Sequence, residues 1–142
     1  MRKIILFLKK LFSKSRLLIE KAVKPSIAVV EALKALLDSP AVPLITAIIP
    51  GNIDDVLAAR IKNFLPVILK MLGYADECIN AKTGDAILQC ALAKLRSAND
   101  PQKHAAWHNI ASNLSMYLSD GKLTWSEAIH LAEMVYNDTK AK

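Results

Sequence analysis

A chain of 142 residues with 19 Lys and Arg against 13 Asp and Glu, a formal charge of +6, can bury a core of its own and is too short for a multidomain enzyme. Its 53% hydrophobic content, with four Gly, six Pro and no low-complexity tract, excludes a disordered or fibrous chain. The two cysteines, Cys78 and Cys90, exclude a disulfide-rich scaffold and fail every close-paired zinc spacing.

The charge is unevenly placed. Residues 1–24 hold Arg2, Lys3, Lys9, Lys10, Lys14, Arg16, Lys21 and Lys24 against Glu20, a balance of +7, and the rest of the chain balances to −1. At 100° per residue Ile4, Phe7, Leu8, Leu11, Phe12, Leu18, Ile19 and Ala22 share one side of a helix, with the basic residues on the other. Leu6 and Leu17 fall out of pattern on the basic side. Pro25 should end this helix, because the residue before a proline is pushed out of the α region. The chain thus divides into a basic amphipathic N-terminal helix over 1–25 and a single near-neutral all-helical domain over 26–142. The apolar run 4–8 meets Lys9 too soon and lacks a small-residue cleavage site, so no secretory signal is expected. A spanning helix needs about 20 apolar residues. Neither the arm nor the stretch 27–49, with Glu31, Lys34, Asp38, Pro40 and Pro43, supplies them.

Beyond the arm, Ser26 can cap a helix with Ile27, Val30, Leu33, Leu36 and Leu37 at helical spacing, ending near Asp38. Ser39-Pro40 reads as an N-cap and first helical position for a short helix that Pro50-Gly51 stops. Asn52-Ile53-Asp54-Asp55 opens the next, with Val56, Leu57, Ile61, Phe64 and Leu65 inward, and Pro66 should kink or divide it before Gly73 closes it. A helical turn is expected over 75–80. Thr83-Gly84-Asp85 leads into a helix burying Ile87, Leu88, Ala91, Leu92 and Leu95, and Asp100-Pro101 into one burying Trp107, Ile110, Ala111, Leu114 and Leu118. After the Asp120-Gly121 stop, Thr124 and Glu127 form a capping box for a last helix presenting Ala128, Leu131, Ala132 and Val135. No period-2 run with turn signals occurs, so the expected fold is all-α: a compact bundle of about six or seven helices preceded by the basic helix.

Motifs that carry chemistry are few. Residues 120–127 match the second half of a calcium loop, but Met116 and Leu118 stand where the first half needs oxygen ligands, so a helix corner is expected there. His104 and His108 are four apart and share a helix face, the spacing of paired zinc ligands. The residues between them are Ala105, Ala106 and Trp107, without the glutamate of the zinc-protease motif. A third ligand from Cys78, Cys90 or His130 has no support, and the pair reads as two partly exposed histidines. Cys78 and Cys90 read as small buried hydrophobes that pair only if the fold brings them close. The adjacent acids Asp54-Asp55 and Asp76-Glu77 read as helix-start charges, and no nucleophile elbow or phosphate loop is present. No catalytic residue, cofactor, metal or small-molecule substrate is expected.

The segments Asp38-Ser39-Pro40, Ile48-Ile49-Pro50-Gly51-Asn52-Ile53-Asp54-Asp55, Leu65-Pro66, Ala75-Asp76-Glu77-Cys78 and Leu118-Ser119-Asp120-Gly121-Lys122-Leu123-Thr124-Trp125-Ser126-Glu127-Ala128 resemble a group of small helical proteins encoded by phages and prophages of gut Bacteroidota. The resemblance spans most of residues 26–135. It implies a viral setting, as a virion component or a lysis-associated membrane protein, and carries no site residues.

The expected function is therefore that of a non-enzymatic phage-type interaction protein, virion-associated or lysis-associated. It docks through the basic helix on an anionic membrane surface or an acidic protein partner. Phe7, Leu8, Leu11 and Phe12 supply burial, and Lys9, Lys10, Lys14, Arg16 and Lys21 supply attraction. One alternative is a structural subunit whose N-terminal helix packs on copies of itself. The other is a nucleic-acid-binding virion protein, ranked lower because no aromatic residues line the basic face for stacking. The expected location is the bacterial host cytoplasm or the virion, or the periphery of the inner membrane.

Overall fold

A computed structural model describes the backbone of residues 19–39 and 44–141, and the side chains of these residues up to Val135. After a π-helical stretch, Ile19–Val23, come six α-helices: α1 (Lys24–Leu37), α2 (Ile45–Ile48), α3 (Asp55–Met71), α4 (Gly84–Arg96), α5 (Asp100–Leu118) and α6 (Trp125–Ala141). No strand occurs among the described residues. The all-α multi-helix bundle is as expected.

The helices begin where side chains satisfy their orphan N–H groups. Leu57 N donates to Asp54 Oδ1 at 2.8 Å, and Ala86 N to Thr83 Oγ1 at 3.1 Å. Asn99 and Gln102 cap α5 reciprocally at 2.9 and 3.2 Å, and Thr124 and Glu127 cap α6 in the same way at 3.2 and 3.3 Å. The helices stop in two Schellman motifs. Gly73, at φ 84°, closes α3 with Gly73 N on Lys70 O and Tyr74 N on Leu69 O. After α5, Asp120 and Gly121 both hold positive φ, with Asp120 N on Tyr117 O and Gly121 N on Met116 O. Residues 120–127 are thus a helix corner. The Glu127 carboxylate accepts from Thr124 N, and the Asp120 carboxylate accepts from Arg60.

Helix α5 is the hub, packed on the π-helical stretch, α1, α3 and α6. Its buried positions include Ala106, Trp107, Ile110, Ala111, Ser112, Asn113, Leu114, Ser115 and Leu118, which run round most of its circumference. Small residues on the sides away from Leu114 let the neighbouring helices approach. Ser115 Oγ donates to Ala111 O at 2.7 Å and Asn113 Nδ2 to Asn109 O at 2.8 Å, but the buried Ser112 hydroxyl has no partner. An unpaired buried hydroxyl costs more than it contributes. Ser112→Ala is expected to move the urea midpoint upward, by up to about 1 kcal/mol in stability.

Several expected boundaries shift. Pro25 does not end a helix, because it occupies the first turn of α1, where its missing N–H is not needed and the wider π turn before it leaves room for its ring. Ser26 is no cap: it is buried, and its Oγ donates to Ala22 O at 2.5 Å. Residues 19–24 therefore run directly into α1, with Ala22 and Val23 in the core. Helix α2 starts at Ile45, whose N–H donates to Asp85 Oδ1 at 2.9 Å rather than to a cap at Ser39. Val56, expected inward, is 70% exposed, since it lies about 140° around α3 from Ile61. Helix α3 runs through Pro66 as one element. The buried proline packs so close to the start of α4 that a Cβ on Gly84 would lie 3.2 Å from Pro66 Cγ and 2.7 Å from Ile45 Cδ1. Residues 75–80 form hydrogen-bonded turns, Cys78 N to Ala75 O and Ala81 N to Cys78 O, so Asp76 and Glu77 are exposed turn residues and not helix starters.

Candidate functional site

Of the residues expected to bind a membrane or partner, Phe7, Leu8, Lys9, Lys10, Leu11, Phe12, Lys14 and Arg16 lie outside the described residues. Lys21 is exposed on the π-helical stretch. Around it Ile19 is half-buried against the core, Ala22 and Val23 are fully buried, and Glu20 and Lys24 face solvent. Of the apolar side of the arm, Ile19 and Ala22 are described. Its C-terminal end, Ile19 and Ala22, is used by the bundle itself, packed toward α5 and α6.

Three basic residues of the body are committed to helix C-termini, where unpaired carbonyls and the helix dipole favour a cation. Arg96 Nε donates to Leu37 O at 3.0 Å and its Nη2 to Leu36 O and Ser39 O at the end of α1. Lys94 Nζ donates to Gly73 O at 3.0 Å beyond α3. Arg60 reaches the end of α5, where Nη2 donates to Tyr117 O at 2.6 Å and both Nη atoms to the Asp120 carboxylate. The Arg60 guanidinium also lies 5.7 Å from the centroid of Phe64, which stacks on Tyr117 with ring centroids 4.9 Å apart. None of these roles shows in the sequence, because a capping cation on another helix follows no local spacing. Arg60→Ala is expected to cost about 2 kcal/mol, read as a lower urea midpoint, because the α5 carbonyls lose their donor and Asp120 is left in the left-handed region without its partner.

The two cysteines do not behave as buried hydrophobes. Cys78 and Cys90 form a disulfide with Cα atoms 6.2 Å apart, both half-buried, tying the turns after α3 to the middle of α4. The sequence separation left the pairing open, and the Gly73 turn, which folds the chain back along α4, brings them together.

Beside this staple, an open cleft of about 430 Å³ lies between Tyr74, Lys94, Leu95, Ser97, Ala98 and Gln102. Ser97 Oγ donates to Lys94 O at 2.8 Å, so this hydroxyl closes α4. His104 and His108 share a face of α5 as their spacing predicts, with Nε2 atoms 3.0 Å apart and rings edge to face at 67°. Among the described residues no group of three or more His, Cys, Asp or Glu side chains converges, and no helix is long and apolar enough to cross a membrane. No protein-family model, no curated protein and no solved structure matches this chain.

Proposed function

We propose that the chain is a non-enzymatic, phage-type interaction protein that docks on an anionic membrane surface through its basic N-terminal segment. The observation that carries this reading is the charge distribution: +7 within residues 1–24 against −1 in the remainder. The structure of the body supports it in two ways. Arg60, Lys94 and Arg96 are spent on helix ends, so the body has even less basic surface to offer than its composition suggests. Residues 19–24 are fastened to the core, so a segment that engages a surface through Phe7, Leu8, Leu11, Phe12 and the lysines carries the whole bundle with it. The apolar residues enter the acyl boundary and the basic ones meet headgroups.

The disulfide supports a setting outside a reducing cytosol, since such bonds persist on virions and in cell envelopes. A virion-associated or lysis-associated role fits that setting better than a cytoplasmic one. The test is a competition on the full chain: binding to vesicles of mixed phosphatidylglycerol and phosphatidylcholine, with duplex DNA added, and sedimentation of the protein alone. Vesicle binding that survives DNA is the expected result. Binding that DNA abolishes would favour the nucleic-acid reading, and assembly of the protein alone, without vesicle binding, would favour a structural subunit.

A further inference from the structure

We propose that His104 and His108 form an exposed bidentate site for a late divalent transition-metal ion, with copper(II) bound most tightly. Metal–imidazole bonds of roughly 2.0–2.1 Å meeting at roughly 90–110° place their nitrogens roughly 2.8–3.4 Å apart. The two Nε2 atoms stand 3.0 Å apart, inside that bite. The rings are already set edge to face across one turn of α5, centroids 4.4 Å apart, so chelation demands little further ordering of the side chains. In the metal-free protein an Nε2–Nε2 contact of this length needs one ring to donate and the other to accept. A metal ion takes a lone pair from each Nε2, and the proton of the donor ring moves through solvent to its own Nδ1, so that both imidazoles bind as neutral ligands.

Imidazole donors suit copper, nickel and zinc, and affinity among these peaks at copper(II). Cys78 and Cys90 are joined to each other and supply no thiolate, and no third His, Cys, Asp or Glu joins the pair among the described residues. His104 is exposed at the surface, which gives the ion a direct path.

The experiment titrates the ¹⁵N-labelled full chain with copper(II) chloride in a non-chelating buffer at neutral pH, following amide signals, and repeats it with His104→Gln, His108→Gln and His130→Gln. The expected result is one equivalent bound, paramagnetic broadening centred on residues 104–108, and an affinity at least about tenfold weaker in either of the first two variants, with His130→Gln unchanged. A melting temperature that copper(II) raises in the wild type and not in His104→Gln would agree. Broadening centred elsewhere, or equal affinity in His104→Gln with a native circular dichroism spectrum, would overturn the proposal.

Discussion

Reduction of the Cys78–Cys90 disulfide is expected to lower the melting temperature by roughly 10 °C. The two cysteines are 12 residues apart, and closing a loop of that size removes about 3 kcal/mol of chain entropy from the unfolded state. The turns it ties to α4 have few other anchors. Ala75 is buried and Gly73 O accepts from Lys94, but Ile79 is 90% exposed and Asp76 and Glu77 face solvent. Cys78→Ser with Cys90→Ser should reproduce the loss without a reductant. Melting followed by circular dichroism, with and without a phosphine reductant, reads it directly. An unchanged midpoint after mass spectrometry has confirmed reduction would show that other contacts hold the turns on α4. Two thiols accessible to maleimide in the untreated protein would show that the bond does not form.

Neutralising Lys9, Lys10, Lys14 and Arg16 together to glutamine is expected to weaken binding to anionic vesicles about a thousandfold. Each basic residue near such a surface contributes about 1 kcal/mol, so four removed together cost about 4 kcal/mol, and each 1.4 kcal/mol is about tenfold. The wild type should lose much of the same affinity as salt rises, because at about 1 M the screening length falls to roughly 3 Å. Phe7→Ser and Phe12→Ser test the other half of the interaction: they should weaken binding at high and low salt alike, since burial of apolar area is not screened. Titration of the full chain by vesicle-induced changes in circular dichroism separates the two components.

Much of the bundle was legible in the sequence because its helix ends are local. The Thr124–Glu127 box and the Gly73 stop each need only a few neighbouring residues and form as expected, and the helices expected to open over 52–55 and 83–85 do so, with Asp54 and Thr83 as their caps. The inward faces of α4 and α6 follow from apolar spacing alone, with Ile87, Leu88, Ala91, Leu92 and Leu95 buried on the first and Ala128, Leu131 and Ala132 on the second. What escaped is what depends on partners distant in the chain. Asp85 caps α2 across 40 residues, and Arg60 caps α5 from a separation of 57 or more. Pro25 and Pro66 read as breaks, because propensity ignores a preceding π turn and the packing of a buried ring. The central place of α5 was hidden by Ser112, Asn113 and Ser115, polar residues that are buried by every neighbour rather than by one face. Of the expected docking residues only Lys21 lies among those described, and it is exposed.

Flotation of the full chain tests the central claim most directly, using phosphatidylglycerol-containing vesicles, phosphatidylcholine vesicles and the glutamine variant at Lys9, Lys10, Lys14 and Arg16. The account predicts that the wild type rises with the anionic vesicles and stays down with the neutral ones, and that the variant stays down with both. A wild type that stays down with anionic vesicles, or a variant that rises with them as well as the wild type does, would contradict it.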